Sequence, residues 1–178
     1  SRGEPLGNEF QVNTSTENNQ WHASIAMHPD GKFVVVWEGF DREGGKGTRI
    51  YGKIYDEIGC ILEDEFLVSV DSVSYYGGPK VAIDYKGNFT AVWPQIDTSI
   101  TDSYQIKGRQ FSFEDGNLIA SDIFQVDTAE IGQQYGLALS MNWQGEFLIS
   151  WVNYIDDTLN QDVYARRYSK NATPITDP

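Results

Sequence analysis

The sequence is poor in the residue types that most enzymes use for nucleophilic or metal chemistry. It has one cysteine and two histidines among 178 residues. The single Cys60 excludes an internal disulfide, and Cys60, His22 and His28 have no spacing that suits a zinc site. We expect both histidines to lie in loops, and no Gly-x-Ser-x-Gly motif accompanies them, which argues against a nucleophilic triad.

Positive charge and long apolar runs are also scarce. The chain has 13 Lys and Arg against 26 Asp and Glu, a formal net charge of −13. Such a chain repels phosphate backbones and anionic lipids, and no run of about 18 apolar residues is present to span a membrane. We therefore expect no nucleic-acid partner and no membrane insertion. Hydrophobic residues still make up 40% of the chain, enough for a folded core.

Three copies of one repeat account for almost the whole sequence. Each copy contains a Phe-x-Val block, which begins at Phe10, Phe66 and Phe124. Each also contains a Gly-x-Phe block that runs on to a tryptophan, namely Trp37, Trp93 and Trp151. The spacing of these blocks is 56 to 58 residues. We place repeat 1 at about 7–62, repeat 2 at about 63–120 and repeat 3 at about 121–178, all within a single domain.

Each repeat is predicted to contain four short strands and no helix. The Phe-x-Val block is interpreted as the first strand, and the second lies near 24–26, 80–82 and 138–140. A glycine-containing turn leads to the third strand, which contains the repeated Trp, and the fourth starts at Ile50, Ile106 and Val163. Four-stranded repeats of this length are typical of β-propeller blades. We predict an all-β fold of three blades, with a β-trefoil as the alternative.

Three blades do not close a ring, because propellers typically have about four to eight. The sequence begins and ends at the same phase of the repeat. This fits either a subunit that pairs with a second copy into a six-bladed ring or a segment of a longer tandem array. We therefore expect the chain to assemble with itself or with neighbouring repeats.

Aromatic residues with neighbouring amides precede the predicted second strand of the copies. They are Gln20, Trp21, Tyr75, Tyr76, Gln134 and Tyr135. Aromatic rings stack on the apolar faces of sugars while amides bond the hydroxyls, so the pattern predicts glycan binding at repeated sites. The alternative is that these side chains only pack at the ends of the strands.

Acidic residues cluster after the repeated tryptophans. They are Asp41, Glu43, Asp97, Asp102, Asp156, Asp157 and Asp162. Oxygen-rich loops of this kind suit Ca²⁺, whereas the alternative is a solvated loop that keeps a sheet edge from pairing. Because the chain has 26 acidic residues, no single pair stands out for glycoside hydrolysis.

Three blocks of the first copy carry a resemblance to a known type of repeat. They are Gly-Asn-Glu-Phe-Gln-Val-Asn-Thr at 7–14, Asp-Gly-Lys-Phe-Val-Val-Val-Trp at 30–37 and Ile-Tyr-Gly-Lys-Ile-Tyr-Asp at 50–56. They resemble the tandem repeats of large secreted or surface-attached bacterial proteins, often adhesin-like or beside haemolysin-type calcium-binding regions. Later copies depart from the pattern, since Asn13 becomes Ser69 and Asp127. The resemblance implies an extracellular or cell-surface module without an active site.

These observations predict a non-catalytic recognition or adhesion module that binds a glycan and assembles through its repeats. A structural self-assembly element of a surface protein or fibre is the second interpretation. A hydrolase or lyase on a propeller scaffold is the third and weakest, because no nucleophile, metal set or distinct acid pair is evident. We therefore expect that the chain is not an enzyme.

Overall fold

The computed structural model describes residues 3–5, 7–41, 47–70, 77–96, 103–128, 133–154 and 161–175. Within these ranges the chain forms strands and turns but no helix. Accordingly, none of the described residues belongs to a helix that could cross a membrane. The all-β prediction is confirmed.

The strands form three antiparallel sheets that follow one another along the chain. Sheet 1 contains, in spatial order, β1 (Gln20–Met27), β2 (Phe33–Asp41), β3 (Gly47–Tyr55) and β4 (Ile61–Leu67). Sheet 2 contains β5 (Lys80–Ile83), β6 (Phe89–Ile96), β7 (Tyr104–Glu114) and β8 (Asn117–Ala120), and β9 (Phe124–Gln125) also pairs with β7. Sheet 3 contains β10 (Gln133–Met141), β11 (Phe147–Tyr154), β12 (Gln161–Tyr168) and β13 (Pro174–Ile175).

The first strands of the three sheets lie side by side, because β5 contacts both β1 and β10. The hydrophobic core fills the spaces between consecutive sheets. Val34 of sheet 1 belongs to the same buried cluster as Trp93 of sheet 2, and Ile106 of sheet 2 belongs to the same cluster as Trp151 of sheet 3. Trp93 and Trp151 thus help to join sheets 2 and 3 to the sheet before each of them, whereas Trp37 packs in a separate cluster of sheet 1 with Val35 and Tyr55.

The Phe-x-Val block does not form the first strand of its own sheet, contrary to the prediction. Phe66 lies in β4 opposite Gly52, and Phe124 lies in β9 opposite Gly108. A Cβ at either glycine would overlap the phenylalanine ring, so only glycine lets the ring cross the strand. The block therefore completes the sheet of the preceding repeat.

Each phenylalanine of this block then packs on a pair of stacked rings in the following sheet. Phe89 and Phe111 stack with their centroids 4.7 Å apart, and Phe66 lies 5.6 Å from Phe111. The other two groups are Phe10 on Phe33 and Tyr55, and Phe124 on Phe147 and Tyr168. The block therefore connects consecutive sheets as well as closing one of them.

One apolar sheet face remains largely uncovered by the described residues, and a second is uncovered in part, since its Val35 and Trp37 are buried with Val12. Ile50 and Ile106 are fully buried, whereas their counterpart in sheet 3, Val163, is 78% exposed. We call this surface of sheet 3, with Leu148 and Val163, the trailing face. The leading face of sheet 1 is marked by Ile25 and Met27, which are 59% and 63% exposed.

Candidate functional site

A backbone irregularity recurs at the start of the first strand of the sheets. Strands β1 and β10 each contain a register shift near their beginning. Three residues at the same repeat position, His22, Gly78 and Gly136, have left-handed φ angles of 50°, 57° and 66°. Glycine adopts this conformation freely, whereas another residue there costs about 1–2 kcal/mol. His22 is therefore a strained residue at a position where the other two copies have glycine.

Glu38 holds this strained histidine. The Nδ1 atom of His22 lies 2.8 Å from Oε2 of Glu38, and the Glu38 side chain is 1% exposed while that of His22 is 50% exposed. The residues that correspond to Glu38 are Pro94 and Val152, each directly after the repeated Trp. Sheet 1 therefore contains a buried carboxyl at a position that is apolar in the other two sheets.

The surroundings of Glu38 favour its protonated form. Burial raises the pKa of its carboxyl above the ordinary value, while the hydrogen bond with His22 and the charge of Lys80 act in the opposite direction. Its Oε1 atom is also buried and has no hydrogen-bond partner among the described residues. A carboxyl and an imidazole in this arrangement can share and pass on one proton.

A cleft of about 600 Å³ lies beside this pair, where the starts of β1, β7, β10 and β12 meet the end of β11. Its lining includes His22, Tyr104, Gln134, Tyr135 and Tyr154. No lysine, arginine, aspartate or glutamate belongs to the described part of this lining. Three phenol rings, an imidazole and amides without fixed charge suit a neutral molecule that carries hydroxyl groups.

The structure brings together only part of the predicted aromatic site. Gln134 and Tyr135, one of the predicted aromatic–amide pairs, line the cleft together with His22. Gln20 instead accepts a hydrogen bond from Nε1 of Trp37 at 3.0 Å, which is a packing role within sheet 1. Trp21 is half-buried in β1 and does not belong to the described lining, and Tyr75 and Tyr76 lie outside the described residues.

Most of the predicted calcium ligands lie outside the described residues. These are Glu43, Asp97, Asp102, Asp156, Asp157 and the side chain of Asp41. Asp162 lies exposed in β12. Among the residues that the structure describes, no group of three His, Cys, Asp or Glu side chains could hold a metal ion. Calcium binding by these loops stays a prediction.

Sequence reasoning missed the His22–Glu38 pair. His28 follows β1 in a turn as predicted, but His22 lies within β1 rather than in a loop. The signal in the sequence was that the first copy departs from the repeat at two positions. It has His22 where the other copies have glycine, and Glu38 where they have an apolar residue. Side chains that depart from a repeated packing role are candidates for function.

Similar folds are found among solved structures, although no protein-family model and no curated protein matches the sequence. The α-L-arabinofuranosidase Arb93A of Fusarium graminearum, in complex with an iminosugar inhibitor, matches with a TM-score of 0.56 and 11% identity over 88% of this chain and 47% of its own. The α-L-arabinofuranosidase of Lactobacillus brevis matches with a TM-score of 0.57 and 14% identity over 93% of this chain and 57% of its own. The endo-arabinase of Bacteroides thetaiotaomicron matches with a TM-score of 0.54 and 13% identity over 98% of this chain and 62% of its own.

In fold, this chain resembles part of these three enzymes. It spans between 47% and 62% of the length of these structures. Identities of 11–14% establish the fold and not the reaction. The matches nevertheless overturn two expectations, a non-catalytic recognition or adhesion module and a chain that is not an enzyme, because these similar structures are arabinofuranosidases and an endo-arabinase. The third interpretation, a hydrolase or lyase on a propeller scaffold, is better supported.

Proposed function

We propose that this chain forms part of a carbohydrate hydrolase on a β-propeller scaffold, with the cleft as its sugar-binding site. The observation that carries the proposal is the His22–Glu38 pair, a buried carboxyl that holds a strained imidazole at the edge of a tyrosine-rich cleft. Strained backbone conformations cluster at functional sites, and buried polar groups without a partner are rare. The arabinofuranosidases and the endo-arabinase of similar fold support a glycosidic bond as the target.

In this proposal the three sheets are successive propeller blades. Three features support blades, namely separate sheets in chain order, first strands that lie side by side, and Phe-x-Val blocks that link each sheet to the next. A β-trefoil is disfavoured because the second, third and fourth predicted strands of each repeat form a separate sheet. Three blades form only part of a ring, because propellers typically have about four to eight.

We further propose that a second copy of the chain closes the ring. Val163 on the trailing face occupies the position at which Ile50 and Ile106 pack against the following sheet. The leading face of sheet 1 corresponds to the faces of sheets 2 and 3 on which Trp93 and Trp151 pack against the preceding sheet. The trailing face of each copy can therefore pack on the leading face of the other in both directions. The result is a symmetric six-bladed ring.

Light scattering tests this assembly directly. We expect twice the monomer mass of 20.1 kDa for the wild type and the monomer mass for Val163→Asp. The control is Ile58→Asp, because Ile58 is 80% exposed in a turn and should leave the dimer intact. A wild-type chain that stays monomeric would overturn the assembly and leave the proposed chemistry to be tested separately.

The His22–Glu38 pair donates and takes back the proton in the proposed reaction. With Nδ1 bound to Glu38, Nε2 is the nitrogen of His22 that can serve a bound sugar. It donates its proton to the leaving glycosidic oxygen as the carbon–oxygen bond breaks, and the attacking water returns a proton to the pair. Hydrolysis also requires a carboxylate that activates the water or attacks the anomeric carbon. That group comes from outside the described lining of the cleft.

An extracellular or cell-surface location remains part of this proposal. It is supported by the resemblance of the first repeat to those of secreted and surface-attached bacterial proteins. A hydrolase that meets polysaccharides outside the cell fits the same location.

Turnover of neutral oligosaccharides, arabino-oligosaccharides included, tests the proposed function. We expect reducing sugar to be released by the wild type and a loss of about 100-fold or more in His22→Asn and Glu38→Gln. Asparagine tolerates the left-handed backbone of position 22, and glutamine keeps the size of the glutamate. The control is Glu114→Gln, since Glu114 lies exposed at the far end of β7.

The residual activity of Glu38→Gln should also show a displaced pH profile, because Glu38 acts through the imidazole. A general loss of folded protein would not displace it. The proposal fails if no glycoside is turned over, or if Glu38→Gln is as active as the wild type.

A further inference from the structure

Sheet 3 carries a second polar feature at the cleft, which the proton chemistry does not use. Gln134 and Asn153 lie opposite each other on β10 and β11 and are 1% and 6% exposed. Both Nε2 and Oε1 of Gln134, and Oδ1 of Asn153, are buried without a hydrogen-bond partner among the described residues. Almost all buried polar groups in folded proteins are paired, so these three atoms require an explanation.

The other two sheets have one amide at this place and use it internally. Gln20, the counterpart of Gln134, accepts a hydrogen bond from the repeated Trp of sheet 1 at 3.0 Å. Gln95, the counterpart of Asn153, accepts one from the repeated Trp of sheet 2 at 3.2 Å. Sheet 3 has both amides, and neither amide oxygen accepts the indole N–H of Trp151. Gln134 and Asn153 therefore do not accept the hydrogen bond from the repeated Trp that their counterparts accept.

The chemistry of this pair matches the hydroxyl groups of a sugar. A carboxamide presents a donor and an acceptor side by side, and each sugar hydroxyl can both donate and accept. Gln134 is part of the lining of the cleft, where Tyr104, Tyr135 and Tyr154 supply rings for the apolar face of a pyranose or furanose.

The cleft also discriminates against charge. A uronate or sulfated sugar would find no lysine or arginine in the described lining and would be repelled by a net charge of −13. We infer that Gln134, with these tyrosines, forms a subsite for an uncharged sugar residue and excludes acidic sugars. Asn153 lies opposite Gln134 and outside the described lining, and we assign it to the same subsite as the neighbour of Gln134. The inference rests on the proposed function for the class of ligand, but not on the proton chemistry of His22.

Calorimetric titration of the full chain with neutral arabino-oligosaccharides tests the subsite. The Glu38→Gln background slows turnover about 100-fold or more during the titration. Gln134→Leu should weaken binding about tenfold or more, because it leaves the sugar hydroxyls without partners, while thermal stability stays equal or rises. Asn153→Leu provides a second variant should Gln134→Leu not fold. Gln144→Leu is the matched control, since Gln144 is exposed in the turn between β10 and β11, away from the cleft.

Oligogalacturonides serve as the acidic probe and should not bind. The subsite is refuted if Gln134→Leu and Asn153→Leu bind the neutral sugar as tightly as their background, if they unfold because the amides are structural, or if the acidic probe binds equally well. Neutral sugar that binds through Gln134 without turnover by the wild type would refute the proposed function alone. Turnover that Gln134→Leu leaves unchanged in rate and KM would refute the subsite alone.

Discussion

The His22–Glu38 pair lowers the stability of sheet 1, and a double substitution guided by the repeat should recover it. Replacing His22 by Gly and Glu38 by Val introduces the residues that the third copy has at Gly136 and Val152. The variant removes the strained backbone and the buried carboxyl together. Both new residues are types that the fold already accommodates at these positions.

The size of the gain follows from the two contributions. Relief of the left-handed φ at position 22 returns about 1–2 kcal/mol, less roughly 0.5–1 kcal/mol for the greater freedom of glycine in the unfolded chain. Removing a buried carboxyl with an unpartnered oxygen returns about 1–3 kcal/mol, of which the lost bond to His22 offsets part. We expect a net stabilisation of about 1–3 kcal/mol. For a chain of 178 residues, each kcal/mol raises Tm by about 2–4 °C.

This gain should increase with pH. Because burial raises the pKa of Glu38, its contribution to wild-type stability is complete at acid pH and is lost as the pH rises through the folded pKa. The double variant has no such loss, so its advantage should be larger at about pH 8 than at about pH 4. Circular dichroism melts at both pH values measure the difference.

The single variant His22→Gly provides the comparison for these melts. It leaves Glu38 buried without its partner and should be less stable than the double variant. A double variant that is less stable than the wild type, or whose advantage does not grow with pH, would refute the reasoning.

Three other perturbations probe the contacts between sheets. Hydrogen bonds to the Tyr85 carbonyl and to a neighbouring aspartate raise the pKa of His28, so the stability that His28 contributes is complete at acid pH and is lost as the pH rises through the folded pKa. The Tm of His28→Asn should therefore lie further below that of the wild type at about pH 5.5 than at about pH 8. A difference in Tm that does not change with pH would contradict this. Gly78→Ala should lower the free energy of unfolding by about 2–4 kcal/mol in urea titrations, because Gly78 has a positive φ and the new Cβ would overlap the Cβ of His22. An unchanged free energy of unfolding would contradict this close contact. Phe66→Ala should cost about 2–4 kcal/mol in the same titration, since its ring fills the junction of two sheets, and a loss below about 1 kcal/mol would mean that this ring does not join them.

Much of the fold could be predicted because the repeat and the period-two alternation are local signals. The second, third and fourth predicted strands of each copy all occur in the structure. The assignment of the Phe-x-Val block was wrong because the phase of a repeat does not reveal where a sheet begins. Only the pairing of Phe66 with Gly52 shows that the block belongs to the preceding sheet.

The candidate site was less accessible to sequence reasoning. Gln134 and Tyr135 could be found because aromatic–amide pairs recur at one repeat position. His22 and Glu38 are 16 residues apart and meet only through the irregular pairing of β1 with β2. Burial, which distinguishes Glu38 from the other acidic residues, is a property of the packed sheets and cannot be read from composition.

The dual role of the Phe-x-Val block makes neighbouring repeats energetically dependent on one another. The block at Phe66 completes one sheet and fills the core of the next, so the unit that folds cooperatively is longer than the unit that repeats. Stability in such a chain is set by the coupling between neighbours as much as by each repeat. A truncation at residue 62, the end of repeat 1 in the sequence, would remove that coupling together with the last residues of β4. A truncation after Val70 would keep it, and a duplicated segment would have to carry its own block to extend the arc.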